Sequence, residues 1–274
     1  YDETLRQTSL DGIPFPEVLA NQGIMPGIKV DKGAKPLAMC PGETITEGLD
    51  DLRDRLAAYR DLGARFAKWR AVITIGAGLP SLTAVHTNAV ALARYAALSQ
   101  EAGLVPIVEP EVLMDGDHTI ESCEEATRAT LRAVFQELAE QRVVLEGMLL
   151  KPNMVLSGKE CPRQASIAEV AEKTVSCLAN TVPASMPGVV FLSGGQSSET
   201  ATAHLNAMNA MAGAMPWQLS FSFARALQAP PLALWKGEAA NVEAAQKAFY
   251  HRAKCNGAAR YGTYGETMEQ DRGS

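Results

Sequence analysis

Apolar positions along this chain fall into two alternating patterns: short continuous runs, and longer stretches in which apolar residues recur every three or four positions. The first pattern reads as a buried strand and the second as an amphipathic helix laid against it. Gly27-Ile28-Lys29-Val30 closes one short run, Phe66 to Ile75 reads as a second strand, and Leu104 to Val108 as a third. Val143 to Leu150, Val189 to Leu192 and Trp217 to Phe223 follow as the fourth, fifth and sixth. Helices are predicted from Thr44 to about Leu62, from about Pro80 to Gln100, and along the stripe Ile120, Cys123, Thr127, Leu131, Val134 and Leu138. Further helices cover about Ile167 to Leu178, Ser198 to Met211 and Ala239 to Lys254. The first helix rests on the capping-box spacing of Thr44 and Glu47 and on the stripe Leu49, Leu52, Leu56 and Tyr59.

Repeated strand–helix units imply an α/β fold with a parallel sheet covered by helices. The natural home for that repetition is a (β/α)8 TIM barrel, whose usual length is about 250 residues. A doubly wound open sheet is the alternative, weakened by the lack of a GxGxxG after any strand. The 274 residues carry 47% hydrophobic content and no Pro/Gly/Ser-rich linker, so a single domain over residues 1–274 is expected.

Composition narrows the partners. A net charge of −6 argues against nucleic acid as the main partner. No apolar stretch approaches the roughly 18 residues of a membrane span, and no secretory signal is visible after Tyr1. The five cysteines are widely spaced without a CxxC, which suits reduced thiols and a cytoplasmic setting. His86, His118, His204 and His251 stand far apart without metal-ligand spacing, so no metal site is expected.

The candidate chemistry lies at the ends of the predicted strands. Lys29 ends the first. Lys68 and Arg70 sit in Phe66-Ala67-Lys68-Trp69-Arg70, and Glu109 and Glu111 in Val108-Glu109-Pro110-Glu111. Lys151 ends the fourth strand, Ser193-Gly194-Gly195-Gln196 the fifth, and Ser222 and Arg225 follow the sixth. Taken singly, each has a bland reading: a solvated loop lysine, an ordinary turn, a surface ion pair. Taken together they describe the rim of a barrel site. Lys151 follows three apolar residues, and burial would lower its pKa toward the neutral amine that attacks a carbonyl. A neighbouring Lys68 would lower it further, and Glu109 could move protons during imine formation and hydrolysis. The Ser193-Gly194-Gly195 backbone and Arg225 suit a phosphate, and Lys29 and Arg70 a second anionic group.

The run Val143-Val144-Leu145-Glu146-Gly147-Met148-Leu149-Leu150-Lys151-Pro152-Asn153 resembles the active-site signature of class I fructose-bisphosphate aldolases. The segments Gly27 to Gly33, Phe66 to Arg70, Val108 to Glu111 and Phe191 to Ser197 resemble that family in the same order. The resemblance extends from about Glu3 to Tyr264. It implies that Lys151 forms a Schiff base, that Glu109 is the principal proton-transfer residue, that Lys68 assists it and that Glu111 supports the lysine network. It further implies that Ser193, Gly194, Ser222 and Arg225 bind the phosphate of the dihydroxyacetone phosphate half, and that Lys29, with Arg70 nearby, binds the other. Ala224 stands where the family usually has glycine. The family's C-terminal tail is not seen before Ser274, and its first two barrel strands are expected to precede Tyr1. The expected structure is therefore six strands of a barrel with a gap beside the Lys29 strand.

The implied activity is reversible cleavage of fructose 1,6-bisphosphate to dihydroxyacetone phosphate and glyceraldehyde 3-phosphate, by a cytoplasmic homotetramer that needs no cofactor. Another Schiff-base sugar-phosphate lyase and a non-catalytic scaffold of the same fold are the alternatives.

Overall fold

The computed structural model describes residues 2–270, apart from 212 and 214. The chain enters through helix α1 (Phe15–Asn21) and strand β1 (Gly27–Lys29), then forms a small antiparallel pair, β2 (Ala34–Pro36) and β3 (Thr44–Thr46). Helix α2 (Leu52–Asp61) leads into β4 (Phe66–Ile73). Strand and helix then alternate through α3 (Leu82–Glu101), β5 (Val105–Val112), α4 (Ile120–Glu140), β6 (Leu149–Leu150) and α5 (Ile167–Ala179). They continue with β7 (Gly188–Phe191), α6 (Ser198–Ala210), β8 (Gln218–Phe221) and α7 (Arg225–Trp235), and end with α8 (Val242–Ala259) and the single turn α9 (Thr267–Gln270).

The six strands predicted from the apolar runs, β1 and β4 to β8, form one parallel sheet in the order β1-β4-β5-β6-β7-β8. The order never doubles back. Right-handed crossovers therefore carry the connecting helices to one face and curl the sheet like the wall of a barrel. A doubly wound sheet would instead reverse its order at a switch point. Among the described residues β1 and β8 are the outer strands and do not pair with each other.

β4 shows how the sequence assigns the two faces. Its residues alternate, with Ala67, Trp69, Ala71 and Ile73 buried and Lys68 and Arg70 only partly so. Trp69 packs on Tyr95 of α3 with ring centroids 5.6 Å apart, so the apolar face meets the helices. Lys68 and Arg70 are left on the inner face.

Several predicted elements differ from the observed ones. The stretch from Thr44 to about Leu62 is not one helix: residues 44–46 form β3, and α2 starts only at Leu52. The Thr44 hydroxyl donates to the Val72 carbonyl (3.2 Å) and Thr46 to that of Arg70 (2.7 Å), so both threonines bond across to β4. Gly48, at φ 126°, turns the chain between β3 and α2. The fourth predicted strand shrinks to Leu149–Leu150, because Leu145–Gly147 makes a 3-10 turn. β5 runs on to Val112, so Glu109 and Glu111 lie within it, as Lys68 and Arg70 lie within β4. Helix α7 had no counterpart in the prediction, since Pro230 and Pro231 sit inside it. Among the described residues, no helix is long and apolar enough to cross a membrane.

Candidate active site

Register brings the charged residues together. Lys29 lies beside Lys68, Arg70 beside Glu109, and Val72 beside Glu111. Ile107 and Val108 pair with Leu149 and Leu150, and the Lys151 N–H continues the ladder to the Val108 carbonyl at 2.8 Å. Parallel pairing in register keeps neighbouring residues on the same face, so Lys29, Lys68, Arg70, Glu109, Glu111 and Lys151 all project from the inner face.

The centre is a carboxylate shared by two amines. Glu109 accepts from Lys151 Nζ at 3.0 Å through Oε1, and from Lys68 Nζ through Oε2. The Lys151 side chain is 7% exposed and that of Glu109 4%. Burial holds the Lys151 amine below its ordinary pKa against the pull of Glu109, and the nearby Lys68 charge pushes the same way as burial. The expected effect of Lys68 is therefore present, but desolvation is the larger cause. Glu111 is turned from the lysines toward Arg70, whose Nε donates to it.

Asp31, which lies in the segment Gly27 to Gly33 but was given no role of its own from the sequence, closes the other side. It is buried, and its Oδ1 accepts from Lys29 Nζ at 2.5 Å and from the Gly33 N–H at 3.1 Å. Its Oδ2 accepts from the Arg70 N–H at 3.2 Å. One carboxylate thus fixes Lys29 at the end of β1 against β4. The signals for Asp31 in the sequence were its place two residues after Lys29 and within the segment Gly27 to Gly33.

Ser193, Gly194, Ser222 and Arg225 gather at the ends of β7 and β8. The loop after β7 passes through Gly194 and Gly195 at φ 65° and 100°, conformations that favour glycine. Among the described residues the N–H groups of these two glycines have no acceptor. The loop is braced from behind. Buried His204, its pKa pushed down to about 4 by desolvation, is neutral and bonds through Nδ1 to Gln196 Oε1 at 2.6 Å. Gln196 Nε2 in turn donates to the Ser193 carbonyl at 2.9 Å. Ser222 is tied to β7 through its N–H and the Phe191 carbonyl, and α7 begins at Arg225 with no side-chain cap. A methyl group built on Gly195 would lie 3.5 Å from Arg225 Nη2, so the guanidinium comes up to the glycine loop, a combination that suits an anion. Ala224 stands at φ −96°, so alanine is unstrained there.

The five cysteines are free. The histidines and cysteines are less scattered than their spacing suggested, because α8 brings His251 and Cys255 together with Glu269. That carboxylate is already held by Arg252 Nη1 at 2.5 Å and by the Tyr264 hydroxyl at 2.8 Å.

The chain matches the family model described as fructose-bisphosphate aldolase class-I over residues 1–274. It is 61% identical over 265 residues to a probable class 1 fructose-bisphosphate aldolase of Xanthomonas campestris pv. campestris, covering 96% of this chain and 79% of that one. It is 54% identical over 264 residues to the cytosolic fructose-bisphosphate aldolase 6 of Arabidopsis thaliana, covering 96% of this chain and 74% of the other. Its fold superposes, with a TM-score of 0.93 and 48% identity, on the Plasmodium falciparum fructose-bisphosphate aldolase solved in complex with TRAP and a small-molecule inhibitor. That match covers 96% of this chain and 76% of that one.

Proposed function

The chain belongs to the class-I fructose-bisphosphate aldolase family, and from that premise we propose that it cleaves fructose 1,6-bisphosphate through an imine on Lys151. The neutral Lys151 amine attacks the C2 ketone, and a proton delivered to the carbinolamine hydroxyl lets it leave as water, giving an iminium ion; that proton is returned when the iminium is later hydrolysed. The C3–C4 bond then breaks and its electron pair flows into the iminium, leaving an enamine. The C4 hydroxyl gives its proton to Glu109 as glyceraldehyde 3-phosphate forms. Protonation of the enamine at C3 and hydrolysis of the regenerated iminium release dihydroxyacetone phosphate and restore the amine. The iminium is itself the electron sink, so this route calls for no metal or cofactor.

Each neighbour has a part in the proposal. Glu109 sits 3.0 Å from the Lys151 amine and is anchored by Lys68, which suits it to carry protons to and from the imine. Lys68 also disfavours the ammonium form of Lys151 and would offset charge that develops nearby. Glu111 holds Arg70 in place. Ser193, Gly194, Ser222 and Arg225 take the phosphate of the dihydroxyacetone phosphate half, and Lys29 and Arg70 take the other. Cations at both ends of the site favour a bisphosphate over a monophosphate.

The shared Glu109 carboxylate beside a buried lysine of lowered pKa is the observation that carries this reading. Borohydride added with dihydroxyacetone phosphate should inactivate the protein and leave a reduced adduct on the peptide holding Lys151. An adduct mapped to another lysine would overturn the assignment. Cleavage should be indifferent to EDTA, and activity that zinc restored after chelation would contradict the imine route. Cytoplasmic residence is proposed by analogy with the relative named cytosolic. A homotetramer is proposed from the family likeness, to be checked by sedimentation.

A further inference from the structure

We infer that Lys159 is a second cation of the phosphate pocket, for which Asp115 and a bound phosphate compete. The inference rests on the reading above, in which the Ser193-Gly194-Gly195 loop and Arg225 hold a phosphate.

Lys159 lies on the loop after β6, and that loop is strapped to the one after β5. The Gly158 N–H donates to the His118 carbonyl at 2.8 Å, the Lys159 N–H to that of Met114 at 2.8 Å and the Glu160 N–H to that of Gly116 at 2.9 Å. This strap sets the Lys159 ammonium 2.8 Å from Asp115 Oδ1. It also aims that ammonium at the glycine loop. A methyl group on Gly195 would lie 3.1 Å from Lys159 Nζ and 3.5 Å from Arg225 Nη2. Two cations that approach one point so closely, one from the loop after β6 and one from the start of α7, can be bridged by a single tetrahedral anion.

The pair with Asp115 is built to be exchanged. Its side chains are 40% and 63% exposed, so the carboxylate holds the ammonium weakly. A phosphate dianion seated on the glycine N–H groups carries more charge, in a spot that Arg225 and the α7 terminus have already made positive. Lys159 leaves one oxygen anion for another without losing its backbone anchor. Asp115 thus competes with the phosphate for the Lys159 ammonium.

The competition makes an opposite-sign test possible. Inhibition by inorganic phosphate, and the Michaelis constant for fructose 1,6-bisphosphate, should be measured for the wild type and for Lys159→Gln, Lys159→Arg, Asp115→Asn and Arg225→Gln. Lys159→Gln should weaken phosphate inhibition about tenfold, as loss of one charge-assisted hydrogen bond implies, and Lys159→Arg should recover most of it. Asp115→Asn should tighten inhibition, because it frees the ammonium; local damage to the loop would not do that. Weaker or unaltered inhibition in Asp115→Asn would overturn the competition, and unaltered inhibition in Lys159→Gln would remove the lysine from the pocket. If Arg225→Gln also left phosphate inhibition unaltered, the phosphate reading itself would fail, separately from the role of Lys159.

Discussion

Lys151 is poised by two influences that can be separated by substitution. Burial and the Lys68 charge both disfavour its ammonium form. Lys68→Met removes the like charge, so the Lys151 pKa should rise and the neutral fraction near pH 7 should fall. Borohydride trapping with dihydroxyacetone phosphate should slow, with its pH profile displaced to the alkaline side. An unmoved profile would show that burial acts alone. The same depressed pKa acts on stability with a definite sign. A lysine whose pKa is lowered by folding costs stability below its folded-state pKa, and the cost disappears as pH rises toward the unfolded value of about 10.4. The stability of Lys151→Met relative to wild type should therefore decrease from neutral pH toward pH 10, as read from urea unfolding of both proteins. Much of this candidate site was legible only in the joint pattern, because charged residues recur at one strand end after another while each alone has a bland reading. Asp31 and Lys159 were not. Each sits among other charged or polar loop residues, and only the fold shows that one is buried and the other faces a glycine loop.

At the scale of elements, the misread segments share a cause, which is that local signals competed with tertiary partners. Thr44 and Glu47 have the spacing of a helix cap, yet the Thr44 hydroxyl is used as a donor to β4 and its backbone pairs with Pro36. Val144 looked like part of a strand, but Gln100 of α3 takes both its N–H (2.9 Å) and its carbonyl (2.7 Å). The long helices were legible because their apolar stripes are continuous and several have a true cap, such as Ser81, Thr119, Ser166 and Ser197. The strap between the loops after β5 and β6 left no trace in the apolar pattern. Its requirement is steric: a methyl group on Gly158 would lie 2.3 Å from the Gly116 carbonyl oxygen and 3.0 Å from the His118 nitrogen. Gly158→Ala should therefore part the two loops, destabilise the protein by about 1–3 kcal/mol and raise the Michaelis constant for the bisphosphate. Gly257→Ala provides the contrast. Gly257 lies in α8 with nothing within 4 Å of an added methyl group, so alanine there should raise stability by roughly 0.5–1 kcal/mol. Equal effects from the two substitutions would show that the strap is not packed tightly.

Across the whole molecule the site is divided between two halves of the sheet. β1, β4 and β5 carry Lys29, Lys68, Arg70, Glu109 and Glu111, while Lys151 and the glycine loop follow β6 and β7. The repeating strand–helix order made this architecture legible, since sequential parallel strands with helical crossovers leave few topologies open. The way the halves are joined was not legible, because the β5–β6 ladder is only two residue pairs long. Buried Asn153 extends that joint. Its Oδ1 accepts from the Val112 N–H at 3.1 Å, at the end of β5, and its Nδ2 donates to Thr127 of α4 at 3.0 Å and to the Met154 carbonyl at 3.1 Å. The asparagine that follows Lys151-Pro152 therefore fixes the distance between the strand of Glu109 and the strand of Lys151. Asn153→Ala would leave the Val112 N–H buried without that acceptor, which costs about 1–3 kcal/mol. Because the loss falls between the two halves, it should also loosen the contact between Glu109 and Lys151, and imine trapping should slow by more than dihydroxyacetone phosphate binding weakens. Asn153→Asp keeps the acceptor for Val112 but loses the donors to Thr127 and Met154, so it should separate the two roles. Denaturant unfolding together with single-turnover borohydride trapping would decide the matter, and a variant that lost stability with trapping intact would show that Asn153 serves the core alone.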